Sequence, residues 1–397
     1  MRIILLILVS MTIIHAENIQ QLIRKGIESH PSLHSIEKRL SSMDEKISLS
    51  QNFDNPDLSF SINDMQFENF SRRDLEPMQY QSINFKQKFP WFGKLDARKK
   101  YTQAQKNVIF NSYTAAKIKL AEEIRMTVYT IKEIEERIRI VNQYIEVTKQ
   151  NIDLYNSYAS TQSKSHTSSM NASLLLTKVQ IKAANYKSLL ESQKAKLKYL
   201  VQHKVHTISS SMKMTKPKQL HYYLSKLDNN PIYQMTLSQK DVAWANRDIQ
   251  NLDKTPDPYV KLGYFNRAEF NDYASITIGA SIPLYGSEEL KTEAAHKEAL
   301  AAASASLDYK SSLQSDIETM YAKLIEAYTI YNILKKETLP QLEHMFELTQ
   351  ASIQQGGDLF AYTNLLEQKL DLEEESVSIK AEYFRTQARL KSLTGEL

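Results

Sequence analysis

Four side chains near the middle of the chain have the chemistry of ligands for a soft or borderline metal ion. His203 and His206 lie three residues apart, and Met212 and Met214 follow within eight residues of His206. Imidazole and thioether groups suit such ions. A polar connector between larger elements explains the same residues, and the sequence favours that interpretation.

Residues that would catalyse a reaction do not occur in the usual arrangements. His30 and His34 are separated by Pro31, which disrupts the helical spacing that a zinc protease needs. The sequence contains no nucleophile elbow and no glycine-rich phosphate loop. It therefore predicts a protein that is not an enzyme, with no catalytic residue and no cofactor.

Composition narrows the class of protein. The 397 residues carry a net charge of only +4, so nucleic acid is not a predicted partner, and no cysteine is present for disulfides or thiolate metal sites. Only 8 glycines and 10 prolines occur, which favours long uninterrupted helices.

The N-terminus is typical of a secretory signal peptide, predicted at residues 1–16. Arg2 supplies the positive charge, residues 3–14 are apolar, and Ala16 suits cleavage. An uncleaved anchor is the alternative. No later stretch approaches 18 apolar residues, so the mature chain is expected to lack a transmembrane helix. A periplasmic protein, an extracellular protein and a membrane β-barrel all remain possible.

A segment ending in proline, any residue, an aromatic residue and glycine occurs twice. The copies occupy residues 80–93 and 273–286, and in each the proline follows the first tyrosine by ten residues. Each copy predicts a strand that stops abruptly before a long helix. The predicted junction residues are Pro90, Trp91, Phe92 and Gly93 in the first copy and Pro283, Tyr285 and Gly286 in the second.

Alternation of apolar and polar residues predicts four strands in two hairpins. Ile276 and Ile278 face one way while Ser275 and Thr277 face the other, and the first hairpin alternates likewise, with Lys86 and Lys88 on its polar face. A soluble sandwich and a membrane barrel with a wet lumen both fit this pattern. Strands of about ten residues with flanking aromatic residues favour the barrel.

The helical segments show coiled-coil periodicity. Residues 94–155 contain no glycine or proline, and isoleucine recurs every seven residues from Ile124 to Ile152. Residues 313–334 repeat apolar positions at spacings of four and three. A helix of some 60 residues is roughly 90 Å long, so it must pack against other long helices.

The two halves of the chain share one plan of helix, two strands and two helices. The predicted organisation is a first repeat at residues 17–210, a linker at 211–217 and a second repeat at 218–397. One chain supplies only four strands, and an open sheet cannot sit in lipid with its edges unpaired. Closure therefore requires several chains.

The signal peptide, the doubled plan and the repeated junction motif resemble the TolC family of outer-membrane efflux proteins. Residues 89–95 are similar to the segment of that family's heavy-metal members that enters the first long helix. The resemblance implies a mainly α fold with a small β part. Antiparallel coiled-coil helices would form an α-barrel, and four strands per chain would contribute to a twelve-stranded transmembrane barrel in a homotrimer.

The same resemblance implies partners and a constriction. The partners are outer-membrane lipid, a periplasmic adaptor and an inner-membrane pump of the resistance-nodulation-division type. Channels of this family narrow at the periplasmic end, where inward carboxylates can form a ring in the trimer that favours cations. Asp358 and Glu367, around Asn364, are the aperture candidates here. Asp358 also fits a helix N-cap, Glu367 also fits a solvated face, and some relatives carry aspartate near the place of Asn364.

The predicted function is an exit duct in the outer membrane, with its helical tube in the periplasm, for heavy-metal cations. A duct for drugs or for type I protein secretion is the alternative within the family. A secreted coiled-coil scaffold without a pore is the alternative from another class.

Overall fold

The computed structural model describes residues 16–159, 165–353 and 359–397. The predicted signal peptide lies outside these ranges except for its last residue. The chain forms two compact units. The first contains Met1–His34, Thr114–Asn230 and Ser311–Leu397, and the second contains Ser35–Tyr113 and Pro231–Lys310. Both units draw on both halves of the sequence, while the repeat boundaries stay a prediction.

The described elements follow the predicted order of helix, two strands and two helices in each half. In the first half they are β1 (Glu17–Asn18), α1 (Ile19–Ser29), α2 (Pro31–Leu49), β2 (Asp57–Asn63), β3 (Tyr80–Lys88), α3 (Lys94–Ala159), α4 (Ser165–Val201) and β4 (Ile208–Ser209). In the second half they are α5 (Leu220–Leu224), α6 (Pro231–Leu252), β5 (Asp257–Asn266), β6 (Tyr273–Ser281), α7 (Ser287–Ile333), α8 (Leu339–Ile353) and α9 (Leu359–Leu393).

The second unit contains one antiparallel sheet of four strands in the order β2-β3-β5-β6. The two hairpins meet where β3 pairs with β5, from Gln81 opposite Asn266 to Lys88 opposite Tyr259. β2 and β6 are the outer strands of this sheet. The prediction of four strands in two hairpins is therefore confirmed.

In the first unit, helix packing follows the apolar periodicity only in part. Ile124 and Ile131 of α3 are fully buried, but Ile138 and Ile145 are only partly buried. A straight helix has 3.6 residues per turn, so a seven-residue repeat rotates about 20° per heptad around its surface. Further along α3, residues at other positions of the repeat are buried instead: Ile140, Val141, Tyr144 and Thr148.

The first unit's core joins α3, α4 and α9. Ile140, Val141 and Tyr144 of α3 form one apolar cluster with α4 and α9, whose members are Leu175, Val179, Ala183, Leu366 and Leu370. This cluster brings together α4 and α9, the helices that follow the long helical segment in each half.

Prolines separate consecutive helical segments in both halves. His30 separates α1 from α2, and Asn230 precedes α6, because each residue lies before a proline and is extended. In the helix before Pro340, residues Leu334–Thr338 are π-helical, and Leu339 N–H donates to the Leu334 carbonyl five residues back. Such a bulge accommodates a proline, which has no N–H for the regular ladder.

α4 begins at Ser165, within a run that is rich in serine and threonine. In this helix Ser173 and Thr177 donate to carbonyls four residues back, which lets hydroxyl side chains sit inside a helix. Among the described helices, none has an apolar stretch of the length that a membrane crossing requires.

Candidate functional site

The sheet of the second unit has one apolar face that is exposed. Leu58, Phe60, Ile83, Ile276 and Ile278 lie on it, with exposed fractions between 52% and 77%. Register places Leu58 opposite Phe85 and Phe60 opposite Ile83, so the apolar side chains form continuous rows. An exposed apolar surface of this kind marks a contact with lipid or protein.

The other face is polar. The Ser61 and Ser82 hydroxyls are 2.9 Å apart across β2 and β3, and the Asn84 amide donates to Ser82 at 3.1 Å. Toward the loop end the face is aromatic, where the Phe265 ring stacks on Tyr273 with centroids 4.6 Å apart. The sheet therefore separates apolar from polar surroundings, as the alternation predicted.

The first strand-to-helix junction, residues 89–94, is built as the sequence predicted. β3 ends at Lys88, and α3 begins at Lys94. Gly93 has φ of +88°, a left-handed conformation that costs little for glycine alone. The Phe89 N–H donates to the Pro258 carbonyl at 2.8 Å, which extends the pairing of β3 and β5 beyond the strand.

Asp257 at the start of β5 anchors this junction. Its Oδ1 accepts from the Trp91 N–H at 2.9 Å and lies 2.8 Å from the buried Lys94 Nζ. Its other oxygen lies 3.2 Å from the Lys88 Nζ. Lys94 also donates to the Thr255 carbonyl at 2.9 Å. These contacts of Asp257, here called the aspartate hub, connect the end of β3, the beginning of β5 and the first turn of α3.

The sequence interpretation missed this hub, although a signal was present. Lys94 is the first residue of a helix, where the macrodipole disfavours a cation. A lysine in that place requires a compensating carboxylate, and Asp257 directly follows the proline that introduces β5.

The second junction, residues 282–287, has the same backbone and different surroundings. Gly286 has φ of +72°, and β6 and α7 flank it. Tyr285 is 94% exposed, and no atom lies within 4 Å of where a Gly286 side chain would project. Among the described residues this junction has no counterpart of the aspartate hub.

The structure describes two of the three predicted aperture residues. Asp358 lies outside the described residues. Asn364 and Glu367 are partly buried on α9, and the Glu367 carboxylate pairs with the Lys178 ammonium of α4. The charge of Glu367 is therefore balanced within the chain. Its role in an aperture stays a prediction.

Next to this pair, α3, α4 and α9 share a charged network in the first unit. The Lys182 Nζ lies 2.7 Å from Glu374 and 3.0 Å from Asp371. Tyr186 Oη donates to the same Glu374 at 2.7 Å and accepts from Arg137 at 3.0 Å. Burial disfavours the charged Lys182 ammonium. Its hydrogen bonds with Glu374 and Asp371 outweigh this effect and raise the pKa of Lys182.

Of the four candidate metal ligands, His203 has its polar contacts with Val201 and Glu17. The His203 Nδ1 donates to the Val201 carbonyl, 2.9 Å away, and the Nε2 lies 3.1 Å from the Glu17 carboxylate. His206 is exposed, and Met212 and Met214 are partly buried. In the described parts of the chain, no group of three or more histidine or carboxylate side chains is arranged to hold a metal ion.

Neither a protein-family model nor a curated protein matches the sequence. Solved structures do match the fold. The outer membrane protein VceC from Vibrio cholerae aligns with a TM-score of 0.80 at 15% identity, over 95% of this chain and 96% of VceC. The CmeC outer membrane channel from Campylobacter jejuni aligns with a TM-score of 0.79 at 11% identity, over 96% of this chain and 86% of CmeC.

A third match is CusC, whose structures describe folding and transmembrane channel formation. Its TM-score is 0.75 at 12% identity, over 96% of this chain and 92% of CusC. The chain has the fold of outer-membrane channels. This channel fold confirms the predicted mainly α fold with a small β part, and it agrees with the predicted outer-membrane location. The trimer and the heavy-metal subgroup stay predictions.

Proposed function

We propose that this chain forms the outer-membrane exit duct of a tripartite efflux system. The observation that carries the proposal is a four-stranded sheet with an exposed apolar face, found in a chain with an outer-membrane channel fold. Three copies would join β2 of one chain to β6 of the next. The resulting barrel of twelve strands has no unpaired edge. This satisfies every backbone N–H and carbonyl group within the bilayer, where no water can replace a missing partner.

The duct has no chemistry of its own in this proposal. The barrel sits in outer-membrane lipid, and the long helices form a periplasmic tube that meets an adaptor. An inner-membrane pump of the resistance-nodulation-division type supplies the energy. Support comes from the fold together with the repeated junction motif, which provides each chain with two passages from strand to long helix.

Heavy-metal cations are the cargo implied by the resemblance of residues 89–95 to metal-efflux members. Deletion of the gene, followed by growth with zinc, cadmium, cobalt, nickel, copper, silver and common drugs, tests this part. Sensitivity to a metal supports it, whereas sensitivity to drugs alone replaces the metal with the drug-export alternative.

Reconstitution in planar bilayers tests the duct itself. The purified protein is expected to form detergent-dependent trimers that conduct ions and show heat-modifiable migration. A water-soluble elongated dimer without conductance would instead support a coiled-coil scaffold.

A matched pair of neighbouring substitutions tests which face meets lipid. Phe60→Lys places a charge on the apolar face, where the cost is about 2–4 kcal/mol at the bilayer midplane, and is expected to prevent insertion. Ser59→Lys places the same charge on the polar face and is expected to insert normally. Equal insertion of both variants would contradict the barrel.

A further inference from the structure

Two lysines face each other across the two inner strands of the sheet, near the end of β3. Lys86 on β3 and Lys261 on β5 are direct partners in the antiparallel register, and both side chains are partly exposed. Side chains alternate between faces at every residue of a strand. Lys86 and Lys261 therefore share the polar face with Ser82 and Asn84, and they form one cross-strand row of two ammonium groups.

Within the ranges that the structure describes, no ion pair compensates the two ammonium groups of this row. Like charges directly opposite each other destabilise a sheet, yet among the described residues no carboxylate lies within 4.0 Å of either ammonium. Asp57 is the register partner of Lys86 on β2 but makes no ion pair with it. The Lys86 ammonium instead lies 4.6 Å from the centre of the Tyr259 ring.

A second carboxylate on the polar face is already engaged. Asp257 lies four residues before Lys261 and pairs with Lys88 and with the buried Lys94. Its charge is therefore compensated at the junction. Asp57, Lys86 and Lys261 lie in one row across β2, β3 and β5, so this row has one more positive than negative charge in each chain.

We propose that Lys86 and Lys261 make the lumen of the duct prefer anions to cations. This inference rests on the proposed function, since only a closed barrel turns the polar face into a lumen wall. Three chains would then place six ammonium groups and the three Asp57 carboxylates in one ring, which is positive overall. Rings of lysine or arginine favour anions in a pore, and low-dielectric walls concentrate their field. A metal would pass this ring as an anionic complex rather than as a bare cation.

The test is the reversal potential of the reconstituted channel across a potassium chloride gradient. Salt near 0.1 M is suitable, because the screening length is then about 10 Å. The unmodified channel is expected to prefer chloride to potassium. The Lys86→Gln/Lys261→Gln variant is expected to lose about threefold in the chloride-to-potassium permeability ratio, because the positive charges of the ring are removed while Asp57 remains.

Two further variants keep the experiment decisive. Lys86→Glu/Lys261→Glu retains the like-charge pair in the sheet while reversing its sign, and it is expected to prefer potassium. Lys204→Gln/Lys216→Gln removes the same charge from exposed positions in the first unit and is expected to leave the ratio unchanged.

The outcomes of this experiment distinguish a failure of anion selection from a failure of the proposed duct. A conducting channel that prefers potassium, or a ratio that the Lys86/Lys261 variants do not change, overturns anion selection and leaves the duct intact. A correctly folded protein that conducts no ions overturns the duct, and anion selection falls with it.

Discussion

The two strand-to-helix junctions share a motif and a backbone, but they differ in what surrounds them. At residues 89–94 the chain is tied to Asp257 by the Lys94 ammonium and the Trp91 N–H. At residues 282–287 the equivalent of Lys94 is Ser287, which is exposed. The first junction follows β3, inside the sheet, whereas the second follows β6, at its edge.

This difference shows how position in a sheet changes the same local signal. An interior strand has neighbours on both sides, so the chain that leaves it finds partners in its own chain. An edge strand has a neighbour on one side only, and its free side exposes unpaired backbone groups. The open second junction therefore fits a place where another copy completes the wall, as the proposed trimer requires.

The largest expected effect is at the buried lysine. Lys94→Met leaves the Asp257 carboxylate partly buried without its main partner. This is expected to lower the free energy of unfolding by about 3 kcal/mol, because water solvates the remaining charge poorly. The free energy of unfolding in detergent, measured with guanidinium, checks this. Ser287→Met is the matched change at the second junction and is expected to stay within about 0.5 kcal/mol. An equal loss in both variants would contradict the comparison.

The two junction glycines are expected to respond alike. Gly93→Ala and Gly286→Ala each force a side chain into the left-handed region, at a cost of about 1–2 kcal/mol. Neither added methyl group meets a close neighbour, since the nearest atom is Leu252 Cδ1 at 4.0 Å from the position beside Gly93. Thermal unfolding of the two variants measures the costs. A much larger loss at Gly93 would show that packing, rather than backbone conformation, decides this position.

The smallest effect is expected at an ion pair that lies away from both junctions. Lys178 and Glu367 pair on partly exposed helix surfaces, and Lys178→Met is expected to cost only about 0.5 kcal/mol, because water already solvates such charges. The free energy of unfolding of this variant is measured with guanidinium and compared with that of Lys94→Met. An equally large loss of stability in both variants would mean that solvent exposure does not distinguish the Lys178–Glu367 pair from the Lys94–Asp257 pair.

Much of the fold follows from local patterns in the sequence. The alternation around Ile276 predicted β6, and the absence of glycine and proline after Lys94 predicted one continuous helix. The prolines at 90 and 283 and the glycines at 93 and 286 marked the ends of strands and the beginnings of helices, because each restricts or frees a single backbone angle.

Interactions between distant segments were harder to foresee. Lys86 and Lys88 were assigned to the polar face, but the opposing Lys261 appears only when β3 is placed beside β5 with its register. Glu367 was an aperture candidate by position, yet it pairs with Lys178 on another helix. Such partners depend on which strands and helices become neighbours, and no local pattern specifies that.

The sequence by itself determined the elements, their order and their doubling, because hydrophobic period, proline and glycine act over a few residues. The tertiary structure alone decided that the two hairpins join through β3 and β5, that Asp257 holds one junction while the other stays open, and that two lysines share a row. These features depend on side chains from separate segments meeting at hydrogen-bond distance, which is a property of the folded chain.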